Sequence, residues 1–138
     1  MDENILIIDI PTSNVGSIKN VIIELGFNVK ISSNLEDIKK SKKIILPGHG
    51  TFSAAKKFLV EKNIFQYLEN YPQDKFFLGI CVGMQLLCNY SYEEEKNEGL
   101  GLINGEVNKI ICKPFEKLPH IGWNQIEIKN KDSKLIKD

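Results

Sequence analysis

The sequence predicts an α/β fold: an open, mostly parallel sheet flanked by helices, with antiparallel strands appended toward its C-terminal end. Two observations carry that prediction. Short apolar runs, Ile5-Leu6-Ile7-Ile8 and Lys43-Ile44-Ile45-Leu46 among them, lack the polar alternation of a half-solvated strand and suit strands buried on both faces. Stretches of helical periodicity lie between them at the spacing of βαβ units.

Asn4-Ile5-Leu6-Ile7-Ile8-Asp9 is the first strand, closed by Asp9. Residues 17–25 place Ile18, Val21, Ile22 and Leu25 on one helical face, and Gly26 follows as a C-cap. Asn28-Val29-Lys30-Ile31 reads as a second strand, and Ser33 or Asn34 as the cap of a short helix through Lys39. The third strand, residues 43–46, stops at Pro47-Gly48. Helices are expected from Thr51 through Leu59 and over residues 64–69. Tyr71-Pro72 is a break, and residues 76–80 form a fourth strand. Beyond Tyr90, residues 93–98 read as a charged, solvated loop. Residues 100–103, 106–111 and 125–128 read as the appended antiparallel strands.

The bulk composition narrows the function. The chain has 138 residues, 42% hydrophobic and 26% charged, as in an ordinary globular domain. Lys and Arg number 18 and so do Asp and Glu, which argues against general nucleic-acid or membrane-surface binding. No apolar stretch approaches the roughly 20 residues that span a bilayer. The acidic start, Met1-Asp2-Glu3-Asn4, is unlike a signal peptide. Cys81, Cys88 and Cys112 match no zinc or disulfide spacing, so a reduced, cytoplasmic setting is expected, with no metal and no cofactor. Cys88, expected in a helix, and Cys112, expected in a late strand, read as inert core thiols.

The most informative segment is Gly79-Ile80-Cys81-Val82-Gly83. It follows the apolar run Phe76-Phe77-Leu78 and precedes the helix-like Met84-Gln85-Leu86-Leu87. Strand, Gly-x-Cys-x-Gly, helix is the cysteine form of a nucleophile elbow. The flanking glycines permit the sharp turn, and the sulfur stands at a helix N-terminus, which favours negative charge. Ligands of open parallel sheets bind at the carboxyl ends of strands. Three features fall at such ends: the loop from Asp9-Ile10-Pro11, Pro47-Gly48-His49-Gly50, and the elbow.

Five segments occur together in one order: Ile7-Ile8-Asp9, Leu46-Pro47-Gly48-His49-Gly50, Gly79 through Leu87, Gly99-Leu100-Gly101-Leu102-Ile103, and Pro119-His120-Ile121-Gly122-Trp123-Asn124. In this the chain resembles the triad-type (class I) glutamine amidotransferases, and among them the amidotransferase subunit of imidazole glycerol phosphate synthase. The resemblance spans nearly the whole chain and implies a single flavodoxin-like amidotransferase domain over residues 1–138. It also implies hydrolysis of L-glutamine to glutamate and ammonia. The ammonia would pass to a synthase (cyclase) subunit of (β/α)8-barrel type in histidine biosynthesis.

The same resemblance assigns roles. Cys81 would be the nucleophile and form a glutamyl thioester. Val82, through its backbone N–H, and the Gly48-His49-Gly50 loop would form the oxyanion hole. Bulk at Gly48 or Gly50 is expected to spare folding and slow turnover. Gln85 and Glu93 would hold the substrate, Glu93 through the ammonium group; its plainer reading is a solvated member of the acidic run. His49 stands where relatives often carry an apolar residue, facing either solvent or the site. His120, Trp123 and Asn124 would face the partner, although a single Trp is as often core.

The resemblance also places a base and its orienter in a C-terminal His-x-Glu, and no His-x-Glu occurs through Asp138. Residues 1–138 are therefore expected to be the N-terminal portion of the domain, either a fragment of a longer product or a natural short form, with exposed sheet edge and core and little glutaminase activity alone. Three other readings stay open: an amidotransferase serving a surface-sugar pathway, a non-catalytic module of this fold, and another cysteine hydrolase of flavodoxin-like shape. Pro119-His120-Ile121-Gly122-Trp123-Asn124 disfavours the last.

Overall fold

A computed structural model describes residues 4–11, 13–72, 74–129, 132, 133 and 135. Strands β1 (Ile5–Ile8), β2 (Val29–Ser32), β3 (Lys43–Leu46) and β4 (Phe76–Gly79) form one parallel sheet in the order β2-β1-β3-β4. Ile7 pairs with Ile31 on one side and Ile45 on the other, and Leu46 pairs with Gly79. This is the expected parallel core, with every strand end within one or two residues of its sequence-based position.

The unbroken apolar runs are explained by burial on both faces. Leu6, Ile8, Ile44 and Leu46 pack with Phe52, Leu59, Ile64, Leu68, Val82 and Leu86 in the larger core. Ile7 and Ile45 meet Ile22 on the opposite face. Each such fully buried side chain contributes roughly 1.5–3 kcal/mol relative to exposure. At the edge the pattern fails: Phe77 packs on the core, but Phe76 is 70% exposed and Leu78 is also exposed. The expectation of exposed apolar surface at a sheet edge is met there.

Capping residues set the helix starts. In α1 (Val15–Glu24) Asn14 accepts from the Ser17 N–H, and Gly26 leaves at φ 83°. Asn34 begins α2 (Leu35–Lys40), accepting from the N–H groups of Glu36 at 2.8 Å and Asp37 at 3.4 Å. Thr51 caps α3 (Phe52–Glu61) by accepting from Ala54. Helices α4 (Ile64–Glu69) and α5 (Val82–Leu86) complete the set.

The end of β3 and the start of α5 touch backbone to backbone. A Cβ at Gly83 would overlap the Leu46 carbonyl oxygen. One at Gly48 would stand 2.6 Å from the Gly83 nitrogen, and one at Gly79 2.6 Å from the Met84 Cα. Glycine is required at all three positions for space, not for dihedral freedom. This corrects the expectation that Gly48 tolerates bulk without cost to folding.

The C-terminal third departs from the expected antiparallel set. Strands β5 (Cys88–Ser91), β6 (Asn97–Glu98) and β7 (Ile103–Val107) form a second sheet in the order β6-β5-β7. β5 pairs antiparallel with β6 but parallel with β7. The reason is the connection: residues 99–102 are threaded back alongside α5, with Leu100 N–H donating to the Leu86 carbonyl and Ile103 N–H to that of Leu87. That returns the chain to the starting end of β5. Cys88 begins β5 rather than lying in the elbow helix, and Cys112 lies outside any strand. Both are half-buried rather than core thiols. Residues 108–129 contain no helix or strand. Ile110, Ile111, Phe115, Ile121 and Ile126 are exposed there, because a β-pattern without a neighbouring strand has nothing to pair with.

Two outcomes test this account. Gly83→Ala should lower unfolding free energy by about 3 kcal/mol in urea titration, against a change within about 0.5 kcal/mol for Gly122→Ala, where a Cβ meets nothing within 4 Å. Equal effects would refute the close packing. Separately, the Lys30 ammonium and then the Ser32 hydroxyl hold the Asp37 carboxyl below its ordinary value. A depressed folded-state value adds stability that is fully present above the ordinary aspartate range and is lost as pH falls from there through the depressed value. Asp37→Asn should therefore flatten the acid limb of the stability profile, and an unchanged limb would count against the pairing.

Candidate active site

Cys81 sits between β4 and α5 with φ 57° and ψ −122°, a conformation that an L-residue adopts only under constraint. The constraint is visible in its neighbours. Ile80 N–H donates to the Leu46 carbonyl at 2.9 Å, Gly83 N–H to Ile80 at 3.0 Å, and Met84 and Gln85 N–H to the Cys81 carbonyl at 3.0 and 3.1 Å. The thiol side chain is exposed. Val82 opens α5, and an N–H in a first helical turn has no partner within its own helix.

The sulfur borders a cavity of about 490 Å³ lined by Ser13, Asn14, Pro47, Gly48, His49 and Ile80, with Ser17 and Ile18 behind. Three expected features thus converge: the loop after β1, the loop after β3 and the elbow. His49 joins the site rather than lying apart from it. Gly48 nests against Val82 and Gly83, whereas Gly50, at φ 87°, has open space around its Cα. Gly50 has room for a side chain but holds a positive φ that L-residues rarely adopt, so bulk is disfavoured at both glycines, by space at Gly48 and by backbone conformation at Gly50.

Gln85, one turn beyond Cys81, borders a second cavity of about 720 Å³ together with Glu93, Lys109, Pro119 and His120. Cys81, just before α5, lines the first cavity, and Gln85, within α5, lines the second. Glu93 is not simply a solvated residue of the acidic run. Its Oε2 accepts from the Phe52 N–H at 2.8 Å, and Glu94 accepts from the Ser53 hydroxyl at 3.0 Å. Lys96 lies 4.2 Å from the centre of the Tyr90 ring. The acidic loop is therefore docked on the N-terminus of α3, where negative charge is stabilised. Ser53 escaped the sequence reading: its partner lies 41 residues away and no local pattern announces it.

His120 and Asn124 are joined side chain to side chain at 2.8 Å. Trp123 is fully exposed, which rules out the core alternative among the described residues. No described helix is long and apolar enough to cross a membrane.

The family model for class-I glutamine amidotransferases matches residues 6–138. This chain belongs to that family. It is 40% identical over 127 residues to the imidazole glycerol phosphate synthase subunit HisH of Lactococcus lactis, covering 91% of this chain and 62% of that protein. It is 44% identical over 131 residues to subunit HisH 2 of Methanococcus maripaludis, covering 92% and 64%. The subunit HisH of Buchnera aphidicola is 41% identical over 125 residues, with 91% and 70% covered. The chain thus spans somewhat less than two thirds of the length of the first two relatives. Among solved structures, a glutamine amidotransferase superposes with a TM-score of 0.63 at 18% identity, covering 73% of this chain and 54% of that one. A putative peptidase E protein from Listeria monocytogenes superposes at 0.51 and 17%, covering 74% and 63%. At these identities the two superpositions establish the fold, and the amidotransferase family rests on the sequence match.

The backbone of Cys81 sets a test. Cys81→Gly should raise unfolding free energy by about 1 kcal/mol, as relief of the positive-φ strain exceeds the added entropy of the unfolded chain. It should also abolish alkylation at this position. A variant no more stable than the parent would show that the corner stores no strain.

Proposed function

We propose that this chain is the glutamine-hydrolysing part of an imidazole glycerol phosphate synthase. The observation that carries the reading is the exposed Cys81 thiol on a constrained strand-to-helix corner, opening on a cavity in a chain of this family. The names of the relatives support histidine biosynthesis over the surface-sugar alternative.

In this reading the Cys81 sulfur attacks the side-chain amide carbon of L-glutamine. The carbonyl oxygen gathers negative charge, which the Val82 N–H and a peptide N–H of the Gly48-His49-Gly50 loop would stabilise. Collapse breaks the C–N bond, ammonia leaves with a transferred proton, and a glutamyl thioester remains. Water then cleaves the thioester to glutamate and restores the thiol. Gln85 and Glu93 hold the substrate, the Glu93 carboxylate pairing with its ammonium group. Ammonia passes to a synthase subunit of (β/α)8-barrel type, making the working assembly a cytoplasmic heterodimer. His120, Trp123 and Asn124 belong to the surface that meets that subunit; an exposed Trp is a strong anchor for such an interface. The base and orienter of the triad are not supplied by a His-x-Glu within these 138 residues, so the chain by itself should turn over glutamine slowly or not at all.

Affinity labelling tests the assignment without requiring turnover. A glutamine-derived chloroketone should modify Cys81 and leave Cys88 and Cys112 unmodified, as read by peptide mass spectrometry. L-glutamine should slow the reaction and D-glutamine should not. Labelling spread over all three thiols, or no protection by L-glutamine, would overturn the reading.

A further inference from the structure

Glu93 reaches the second cavity from a loop whose own strand, β6, is two residues long. A carboxylate on such a loop is a poor anchor unless something holds the loop. The structure supplies that hold on α3. Phe52 N–H donates to Glu93 Oε2 at 2.8 Å. One residue on, the Ser53 hydroxyl donates to Glu94 Oε2 at 3.0 Å and accepts from Asn97 Nδ2 at 3.3 Å. Asn97 Nδ2 also reaches the Glu95 carbonyl at 3.3 Å, which closes the turn. At the loop's other end, Glu93 N–H donates to the hydroxyl of Ser91, a residue only 1% exposed.

Ser53 is thus the hub that receives both arms of the acidic loop. It is not the cap of α3, since Thr51 performs that task through Ala54. Its hydroxyl is used entirely across a 41- to 44-residue separation. Phe52 N–H engages only one oxygen of Glu93, Oε2, and leaves Oε1 without a hydrogen bond among the described residues.

We propose that Ser53 is a positioning residue for substrate recognition: by tying Glu94 and Asn97 to α3 it holds the Glu93 carboxylate where it can meet the α-ammonium group of an amino-acid substrate. The inference rests on the glutaminase reading given above. The Ser53 hydroxyl itself touches neither the substrate nor the reacting atoms. Its loss lets the loop move off α3, so substrate capture weakens while the chemistry at Cys81 is untouched.

The labelling rate of Cys81 by the glutamine-derived chloroketone, measured against reagent concentration, separates capture from chemistry. Ser53→Ala should raise the half-saturating concentration about 3- to 10-fold, the effect of losing one or two hydrogen bonds. The maximal labelling rate should stay within about twofold, and alkylation by iodoacetamide, which needs no amino-acid recognition, should not change. Ser53→Thr, which keeps the hydroxyl, should restore the parent value, and Asn97→Ala should act in the same direction as Ser53→Ala. Unaltered half-saturation in Ser53→Ala would overturn the proposal. So would equal losses in maximal rate and iodoacetamide reactivity, which would place the effect in the packing of α3. If the parent chain itself showed no saturation, the role of Glu93 in substrate capture would fall and this inference with it.

Discussion

The structure depends on a backbone-to-backbone contact between the carboxyl end of β3 and the first turn of α5. Gly83 lies so close to the Leu46 carbonyl that no side chain fits between them, and Gly48 and Gly79 close the same gap from either side. Side chains elsewhere in the core hold layers about 10 Å apart. Here the layers meet directly, and the geometry of everything attached to them is correspondingly narrow. The Pro47-Gly48-His49-Gly50 loop begins where β3 ends, and Cys81 sits where α5 begins. Neither can shift without moving the other, because Ile80 N–H is bonded to the Leu46 carbonyl across the junction.

This contact explains why Cys81 can occupy a positive φ. The residue is bounded by hydrogen bonds on both sides, from Ile80 to β3 and from Met84 and Gln85 back to its own carbonyl. The energy that holds it there comes from the apolar side chains around the corner. Val82 and Leu86 are buried in the same cluster as Leu46 and Phe52, and a cluster of that size easily outweighs the roughly 1–3 kcal/mol that one strained residue costs. The exposed thiol and the buried helix face are two sides of one arrangement: packing of α5 on the sheet pushes the sulfur outward.

What could be read from the sequence was whatever is encoded over a few consecutive residues. The apolar runs of β1 and β3, the cap at Asn34 (one of two candidates with Ser33), the helix start at Thr51, the stop at Gly26 and the Gly-x-Cys-x-Gly corner are local signals, and each falls where it is expected. The convergence of the Gly48 loop with Cys81 was legible too, because parallel strands must end on one side of the sheet. The direction of β7 was not. It depends on residues 99–102 lying along α5, a tertiary contact with no periodic signature. The apolar residues of 108–129 carry a strand-like composition but find no strand to pair with among the described residues, and propensity alone does not make a sheet. The spatial role of Gly48 is not legible either: a glycine needed for room looks, in sequence, the same as one needed for rotation.

Helix α3 links the two halves of the site. Its N-terminus follows directly on Gly48-His49-Gly50, and its first two residues, Phe52 and Ser53, receive Glu93 and Glu94 from the acidic loop. The Glu93 carboxylate stabilises the helix by accepting from the otherwise unpaired Phe52 N–H, Glu94 accepts from the Ser53 hydroxyl, and both lie at the positive end of the helix dipole. The helix in turn fixes the loop that carries them. Phe52, 1% exposed, anchors that junction in the same core that seats Val82. The Glu93 carboxylate and the Gly48-His49-Gly50 loop are therefore both tied to the first turn of α3.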